Sequence, residues 1–352
     1  MPSLIAVSTI DFPHKTSQQT IKNFAGNMFA TSMPGVERLL PVFDNTEIET
    51  RNLCKPLEYY LQKHTFEEQN HEFICLALEY SVKAIEKCVT SAGISKNEIT
   101  DIIFVSTTGL ATPSMDALII NAMRLNPHAN RTPVFGLGCG GGVSGFAKAC
   151  ATAQANPDAI VLLVAVELCS LTFLRNDFSK SNFIGSSLFA DGVAACLIAG
   201  DNKRTTASDE EITFLASRSK LYYDTLDIMG WDFTDHGFKV LFSSGIPALI
   251  ARYVREDVTS FLESRGRALP DVRNFIFHPG GKKVLGAYEE ALGAEGDFLR
   301  TSREVMRDYG NMSSSTVLYV LERFVHRHEK GCGLMMSMGP GFSSEMVLLE
   351  MK

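Results

Sequence analysis

The segment Gly136-Leu-Gly-Cys-Gly-Gly-Gly142 places one cysteine among five glycines. A short strand is predicted just before it, and an apolar pattern continues to about Ala155, so the segment lies at the start of a predicted helix. Free backbone N–H groups and the positive end of the helix dipole favour the thiolate form of a cysteine there. Glycines also leave space beside the sulfur for a substrate carbonyl. Cys139 is therefore a candidate nucleophile, and an ordinary buried cysteine is the alternative.

The order of predicted elements around Cys139 occurs twice along the chain. In the first half, the pattern predicts helices over 65–91, 114–123 and up to 155, and strands over 101–106, 133–135, 159–166 and 192–199. In the second half, it predicts helices over 246–264, after 281 and up to 327, and strands from 273 and over 331–338 and 345–350. This repeat indicates an α/β protein of two duplicated halves, residues 1–205 and 206–352, whose equivalent element ends meet at a shared interface.

Two further polar residues occupy positions that the duplication brings toward Cys139. His278 ends the strand Phe275-Ile-Phe277, and Asn311 precedes the helix of the second half that corresponds to the cysteine helix. Taken singly, His278 could cap a turn and Asn311 could be a helix N-cap. Together, a thiolate accepts an acyl group from a thioester, and two N–H donors stabilise an oxyanion or enolate. These motifs contain no carboxylate base, which fits a carbanion formed by decarboxylation.

Composition excludes several classes of function. The chain has 352 residues, 45% hydrophobic and 21% charged, with a net charge of -7 that disfavours binding to nucleic acid. The first residues lack the pattern of a secretory signal, and the longest apolar run, Ile160 to Val166, is too short to span a membrane. A cytoplasmic protein without a transmembrane segment is expected. Eight scattered cysteines without a CxxC pair predict neither a metal site nor a disulfide framework.

Five motifs resemble the type III polyketide synthases related to chalcone synthase, within the thiolase superfamily. They are Gly138-Cys-Gly-Gly-Gly142, Ser187-Leu-Phe-Ala-Asp-Gly192, Phe277-His-Pro-Gly-Gly281, Tyr309-Gly-Asn-Met-Ser-Ser314 and Gly339-Pro-Gly-Phe342. The resemblance implies a thiolase-like five-layered αβαβα fold, a homodimer, and a cavity that the pantetheine arm of CoA enters through a narrow tunnel. It also implies malonyl-CoA and acyl-CoA as substrates, no cofactor and no acyl carrier domain.

The resemblance assigns roles to individual residues. Cys139 would carry the acyl group, while His278 and Asn311 would bind the thioester carbonyl during decarboxylation and condensation. Gatekeepers between tunnel and cavity would be Phe189 and Phe238. The remaining roles are contacts to CoA phosphates by Arg51 and Lys55, and shaping of the cavity by Thr107, Cys169, Thr172 and Ser313.

Two features favour a bacterial type of activity within this family. Cys169 stands where the plant enzymes usually have threonine, and Gly109-Leu-Ala-Thr-Pro113 resembles the turn of bacterial alkylpyrone and alkylresorcinol synthases. We therefore expect iterative condensation of malonyl-CoA onto a fatty acyl-CoA starter, followed by cyclisation to a pyrone or resorcinol-type product.

Three other classes share parts of the pattern. Gly136 to Gly141 matches GxGxxG, but the acidic residue of a dinucleotide-binding unit is missing at its expected place. Papain-like proteases have Cys, His and Asn in this order, but Cys139 lacks their flanking residues. A ketoacyl-carrier-protein synthase III, which performs a single decarboxylative condensation, is the nearest alternative. In that branch Gln-Ala-Asn usually follows the histidine, whereas Pro-Gly-Gly follows His278.

Overall fold

The computed structural model describes residues 1–30, 33–203, 212–294 and 296–352. Its strands are β1 (Ser3–Thr9), β2 (His14–Ser17), β3 (Thr50–Leu53), β4 (Asp101–Val105), β5 (Asn130–Val134), β6 (Ile160–Leu168), β7 (Asp191–Ala199), β8 (Ile212–Leu221), β9 (Met229–Thr234), β10 (Gly237–Phe242), β11 (Val272–Phe277), β12 (Gly331–Gly339) and β13 (Ser343–Met351). Its helices are α1 (Gln18–Phe29), α2 (Pro41–Asp44), α3 (Phe66–Ala92), α4 (Met115–Met123), α5 (Gly141–Ala155), α6 (Lys180–Leu188), α7 (Ile246–Glu263), α8 (Lys282–Leu292), α9 (Arg300–Tyr309) and α10 (Thr316–His326).

The strands of both halves form one nine-stranded sheet in the order β11-β12-β13-β8-β1-β7-β6-β4-β5. In the first half, β4 runs parallel to β5 and β6, and in the second half β11 runs parallel to β12. The two halves join where β1 pairs with β8, through Ser3 with Thr213 and Leu4 with Ile212. The sheet is therefore two similar units connected by a short pairing.

Three hydrophobic cores separate the layers. The central core holds α5 and α10 with residues from both halves of the sheet, including Val105 of β4 and Met335 of β12. One outer core packs α7 and α8 on the second half, and the other packs α3 and α4 on the first. This arrangement gives the layers αβαβα, so the predicted fold is confirmed. The predicted boundary between residues 205 and 206 lies outside the described residues and stays a prediction.

Helix α3 starts and ends where its sequence signals predict. The Thr65 side chain accepts a hydrogen bond from the backbone N–H of Glu68, and the Glu68 carboxylate accepts one from Thr65 N at 2.8 Å. At the other end, Gly93 adopts the left-handed conformation with φ 65°. Within the described ranges, no helix has the length and apolar character needed to cross a lipid bilayer.

Both central helices begin with a 3-10 turn that the sequence pattern did not predict. The turn Gly138–Gly140 precedes α5, and the turn Ser313–Ser315 precedes α10. In the second turn, side chains accept hydrogen bonds from backbone N–H groups in place of helical carbonyls. Thr316 Oγ1 accepts from Met312 N at 2.8 Å, and Asn311 Oδ1 accepts from Ser313 N. Cys139 therefore lies inside its turn, while Asn311 lies two residues before its own.

Candidate active site

Cys139 lies where the turns of the two halves pack against each other. Its sulfur is 3.8 Å from the hydroxyl oxygen of Ser313. A Cβ atom added to Gly142 would lie 2.1 Å from the carbonyl oxygen of Ser314, so no side chain fits there. The glycines after the cysteine are thus needed for close approach of the second half, in addition to any space for substrate.

The Asn311 side chain is held in one orientation. Its Oδ1 accepts a hydrogen bond from Ser313 N at 2.9 Å, and its Nδ2 donates to the Gly280 carbonyl at 3.3 Å. Only 2% of the residue is exposed. Asn311 therefore caps the turn before α10 with its side-chain oxygen. Its amide nitrogen is directed toward Gly280. Nδ2 carries a second hydrogen that can be donated to a substrate oxygen.

His278 follows the last residue of β11 and is 2% exposed. Its backbone N donates to the Met336 carbonyl at 2.8 Å, and Gly280 N donates to the His278 carbonyl at 3.1 Å. Neither ring nitrogen has a hydrogen-bond partner among the described residues. Contacts run from Cys139 through Ser313, Asn311 and Gly280 to His278, so the structure brings the three predicted residues to one place.

Burial opposes charge on both Cys139 and His278. It lowers the pKa of His278 to about 3 and raises the pKa of Cys139 to about 12. The negative charge of Glu167 adds to the rise for Cys139, and hydrogen bonds from Ser313 and Asn311 oppose it. In both groups burial therefore favours the neutral form over the charged one. Loss of solvent therefore acts against the thiolate that the helix N-terminus favours, and the ionised form of Cys139 stays a prediction.

Glu167 is a buried residue of this site that the sequence analysis did not select. Its carboxylate accepts hydrogen bonds from Thr107 N at 3.1 Å, Thr108 Oγ1 at 2.9 Å and Ser314 Oγ at 2.6 Å. Burial raises the pKa of Glu167 to about 7. It is the one charged residue in the apolar strand β6, and this pattern was the signal that could have identified it.

Two cavities meet beside Cys139. The smaller, of about 40 Å³, is lined by Cys139, Ser313 and Pro340 among others. The larger, of about 90 Å³, is mostly apolar and extends to α1. Four residues line both cavities and form the wall between them: Cys169, Phe189, Trp231 and Val240.

The structure places some predicted cavity residues differently from the expectation. Phe238 lines the larger cavity, with its ring centroid 5.3 Å from that of Phe66, and is not among the residues lining the cysteine cavity. Trp231 and Val240 occupy the wall instead. Thr172 lines the larger cavity. Thr107 supports the cysteine turn from behind, its hydroxyl accepting from Gly138 N at 3.0 Å.

The two residues predicted to contact CoA phosphates are otherwise engaged. Arg51 is 2% exposed, so its guanidinium does not present a surface charge, and the predicted role has to be corrected. Lys55 Nζ lies 2.6 Å from the carboxylate of Glu72 and 5.5 Å from the ring centroid of Tyr59. The four-residue spacing of Arg51 and Lys55 suggested two exposed cations. Spacing alone could not reveal that Arg51 is buried and that Lys55 is paired with a carboxylate.

Comparison with protein families gives two matches along the chain. Residues 53–202 match the N-terminal domain of chalcone and stilbene synthases, and residues 216–351 match the C-terminal domain of the same family. Together the two matches cover most of the described site.

Individual relatives agree with these matches. A putative chalcone synthase of Bacillus subtilis is 39% identical over 99% of both chains. The 1,3,6,8-tetrahydroxynaphthalene synthase of Streptomyces peucetius is 34% identical over 99% of this chain and 93% of its own. The crystal structure of 1,3,6,8-tetrahydroxynaphthalene synthase from Streptomyces coelicolor, a bacterial type III polyketide synthase, superposes with a TM-score of 0.92, with 27% identity and 99% of each chain covered.

Proposed function

The chain belongs to the chalcone and stilbene synthase family of type III polyketide synthases, and we propose that it extends a fatty acyl-CoA starter bound at Cys139. Extension uses malonyl-CoA in repeated decarboxylative Claisen condensations. The product then cyclises to a pyrone or a resorcinol-type ring. The observation that carries this proposal is the continuous set of contacts from Cys139 through Ser313, Asn311 and Gly280 to His278, next to a cavity that Cys139 and Ser313 line.

Loading of the starter begins from the neutral pair. As the Cys139 sulfur attacks the thioester carbonyl, His278 takes its proton, and the bond from carbon to the CoA sulfur breaks. His278 then returns the proton to the departing CoA thiolate. The neutral imidazole has a free nitrogen lone pair that accepts the proton, and because burial holds its pKa low, the imidazolium then readily returns that proton.

Condensation uses His278 and Asn311 as hydrogen-bond donors. Loss of carbon dioxide from malonyl-CoA leaves an electron pair that forms an enolate, whose oxygen accepts hydrogen bonds from the imidazole N–H and from Asn311 Nδ2. Preorganised donors in a buried site stabilise such an oxyanion strongly. The enolate carbon attacks the acyl group on Cys139, and the carbon–sulfur bond to the cysteine breaks. For the next cycle the released Cys139 thiolate attacks the thioester of the extended chain, and the departing CoA thiolate takes a proton from solvent.

The larger cavity supports a fatty starter. Its walls include Ile21, Phe24, Met28 and Phe29 of α1 together with Trp231, so an acyl chain would displace little bound water there. A water molecule needs about 10–15 Å³ of such volume, and the cysteine cavity of about 40 Å³ therefore holds only a few atoms. A long chain needs both cavities joined.

The proposal is tested with purified protein, labelled malonyl-CoA and acyl-CoA starters from acetyl to stearoyl, without carrier protein. We expect pyrone or resorcinol products with two or more malonyl-derived units, detected by mass spectrometry, with fatty starters preferred. The Cys139→Ala variant should give no product. Product formation only with a carrier protein, and with a single extension, would instead indicate the ketoacyl-carrier-protein synthase III reaction. The cytoplasmic location and the homodimer stay predictions.

A further inference from the structure

Arg51 holds the end of α6 from inside the protein. Its Nη1 donates to the carbonyl of Ser186 at 2.7 Å and to the carbonyl of Phe189 at 2.9 Å. Helix α6 ends at Leu188, so both carbonyls belong to the end that carries the negative pole of the helix dipole. The buried guanidinium therefore fixes the backbone at the point where Phe189 leaves the helix.

Asn311 holds the same short segment from its other side. Its backbone N donates to the Leu188 carbonyl at 2.9 Å, and its carbonyl accepts from Ala190 N at 2.8 Å. These two bonds make a bridge between Phe189 and Asn311. The backbone of Phe189 is thus held between a catalytic loop and a buried cation.

The stem of Arg51 also contacts the loop that carries Asn311. At Gly310, a Cβ atom would lie 2.9 Å from Cγ of Arg51 and 3.1 Å from Cβ of Ala190. Gly310 has φ 79°, a conformation that favours glycine. Arg51, the end of α6 and the Asn311 loop therefore meet without intervening space.

Burying the Arg51 guanidinium costs more free energy than capping a helix requires. Burial lowers the pKa of Arg51 to about 10, with the charge of Asp191 acting in the opposite direction. Nε and Nη2 of Arg51 have no hydrogen-bond partner among the described residues. A buried cation with unpaired donors destabilises the folded state.

The same chain caps another helix at lower cost. Arg255 is exposed, and its guanidinium donates to the carbonyls of Ala291 at 2.7 Å and Leu292 at 2.8 Å, at the end of α8. Capping alone therefore does not require a buried arginine. What distinguishes Arg51 is its contact with Phe189, a residue that lines both cavities.

We propose that Arg51 is a positioning residue which, through the carbonyl of Phe189, sets where the Phe189 ring stands in the wall between the two cavities. The length of an alkyl chain that can lie beside Cys139 depends on that position. The identity of the natural chain rests on the proposed function, whereas the positioning of Phe189 does not.

The test is the rate at which N-alkylmaleimides, from ethyl to dodecyl, label Cys139. Peptide mass spectrometry separates this site from Cys75, which is exposed. The variants are Arg51→Met, Arg51→Lys, Phe189→Ala and Arg51→Met with Phe189→Ala, and Arg255→Met is the matched control. Labelling requires no condensation, so failure to find a polyketide product would refute the proposed function and leave this test valid.

We expect Arg51→Met to change the ratio of dodecyl to ethyl labelling rates by about threefold or more, as for residues that are energetically coupled. Arg51→Lys, which keeps the charge but loses the planar donor pair, should change the ratio in the same direction and serves if Arg51→Met does not fold. In the Phe189→Ala background the Arg51 effect should vanish. Arg255→Met should lower the melting temperature without altering the ratio. Two outcomes would overturn the proposal. One is an unchanged ratio in the Arg51 variants that fold. The other is an Arg51→Met effect that is equally large in the wild type and in the Phe189→Ala background.

Discussion

The turns that precede the two central helices have similar backbones and different side chains. Gly138–Gly140 leads into α5, and Ser313–Ser315 leads into α10. Each turn opens with a residue in the left-handed region, Gly138 with φ 45° and Ser313 with φ 50°. Glycine adopts this conformation without cost, whereas serine is strained by about 1–2 kcal/mol.

The difference shows how duplicated halves acquire separate roles. The first turn carries Cys139, the predicted nucleophile, and otherwise almost no side chains, because the second turn occupies the adjacent volume. In the second turn the hydroxyl groups make specific bonds, Ser314 to Glu167 at 2.6 Å and Ser315 to the Met312 carbonyl at 2.8 Å. The turn of the first half thus leaves space for the turn of the second half. The turn of the second half is fixed by its own side-chain hydrogen bonds, next to the predicted donor Asn311.

The largest expected effect comes from removing the donor of the second half. Asn311→Ala should reduce decarboxylation of malonyl-CoA by about 10²-fold or more, because one oxyanion donor is lost. Release of labelled carbon dioxide measures this step without any starter. Cys139→Gln, by contrast, should retain decarboxylation and lose condensation. Normal decarboxylation by Asn311→Ala would mean that the second turn is only a scaffold.

The contact between the two turns is tested by adding one methyl group. Gly142→Ala should destabilise the protein by about 3 kcal/mol, because its Cβ would meet the Ser314 backbone and that backbone cannot move away freely. Gly286→Ala is the control, since this glycine in α8 has open space around it and should gain about 0.5–1 kcal/mol from alanine. Urea midpoints measure both. Equal midpoints for the two variants would contradict the close packing of the turns.

A smaller effect is expected from the carboxylate that joins the halves. The pKa of Glu167 is raised to about 7, so this residue is neutral at pH 5 and negatively charged above pH 7. Its charge opposes ionisation of Cys139. Glu167→Gln should therefore leave the iodoacetamide rate at Cys139 unchanged near pH 5 and raise it about threefold at pH 8, since a modest pKa change alters the thiolate fraction by such factors.

Stability should follow the same titration. A carboxyl group whose pKa is raised on folding contributes stability below the pKa of the unfolded chain, and that contribution is lost as pH rises through about 7. The melting temperature of the wild type should therefore fall more between pH 5 and pH 8 than that of Glu167→Gln. A parallel fall in both proteins would show that Glu167 does not titrate in this range.

The sequence by itself determined the elements and the three positions that are proposed to react. Helix α3 is specified locally by Thr65, Glu68 and Gly93, whose hydrogen bonds and backbone conformation act within a few residues. Cys139, His278 and Asn311 could be located because each directly adjoins a strand or helix end. The repeated order of elements then placed these ends on a common interface.

Only the tertiary structure decided the burial, charge and lining of the site. Arg51 is buried through contacts with Ser186 and Phe189, more than 130 positions away. The states of Cys139 and His278 follow from loss of solvent, which depends on every layer packed around them. Likewise, Trp231 rather than Phe238 reaches the cysteine cavity because of how β9 and β10 pack over it. Burial, protonation and cavity lining depend on contacts between segments that are far apart in the sequence, so they cannot be predicted from local residue spacing.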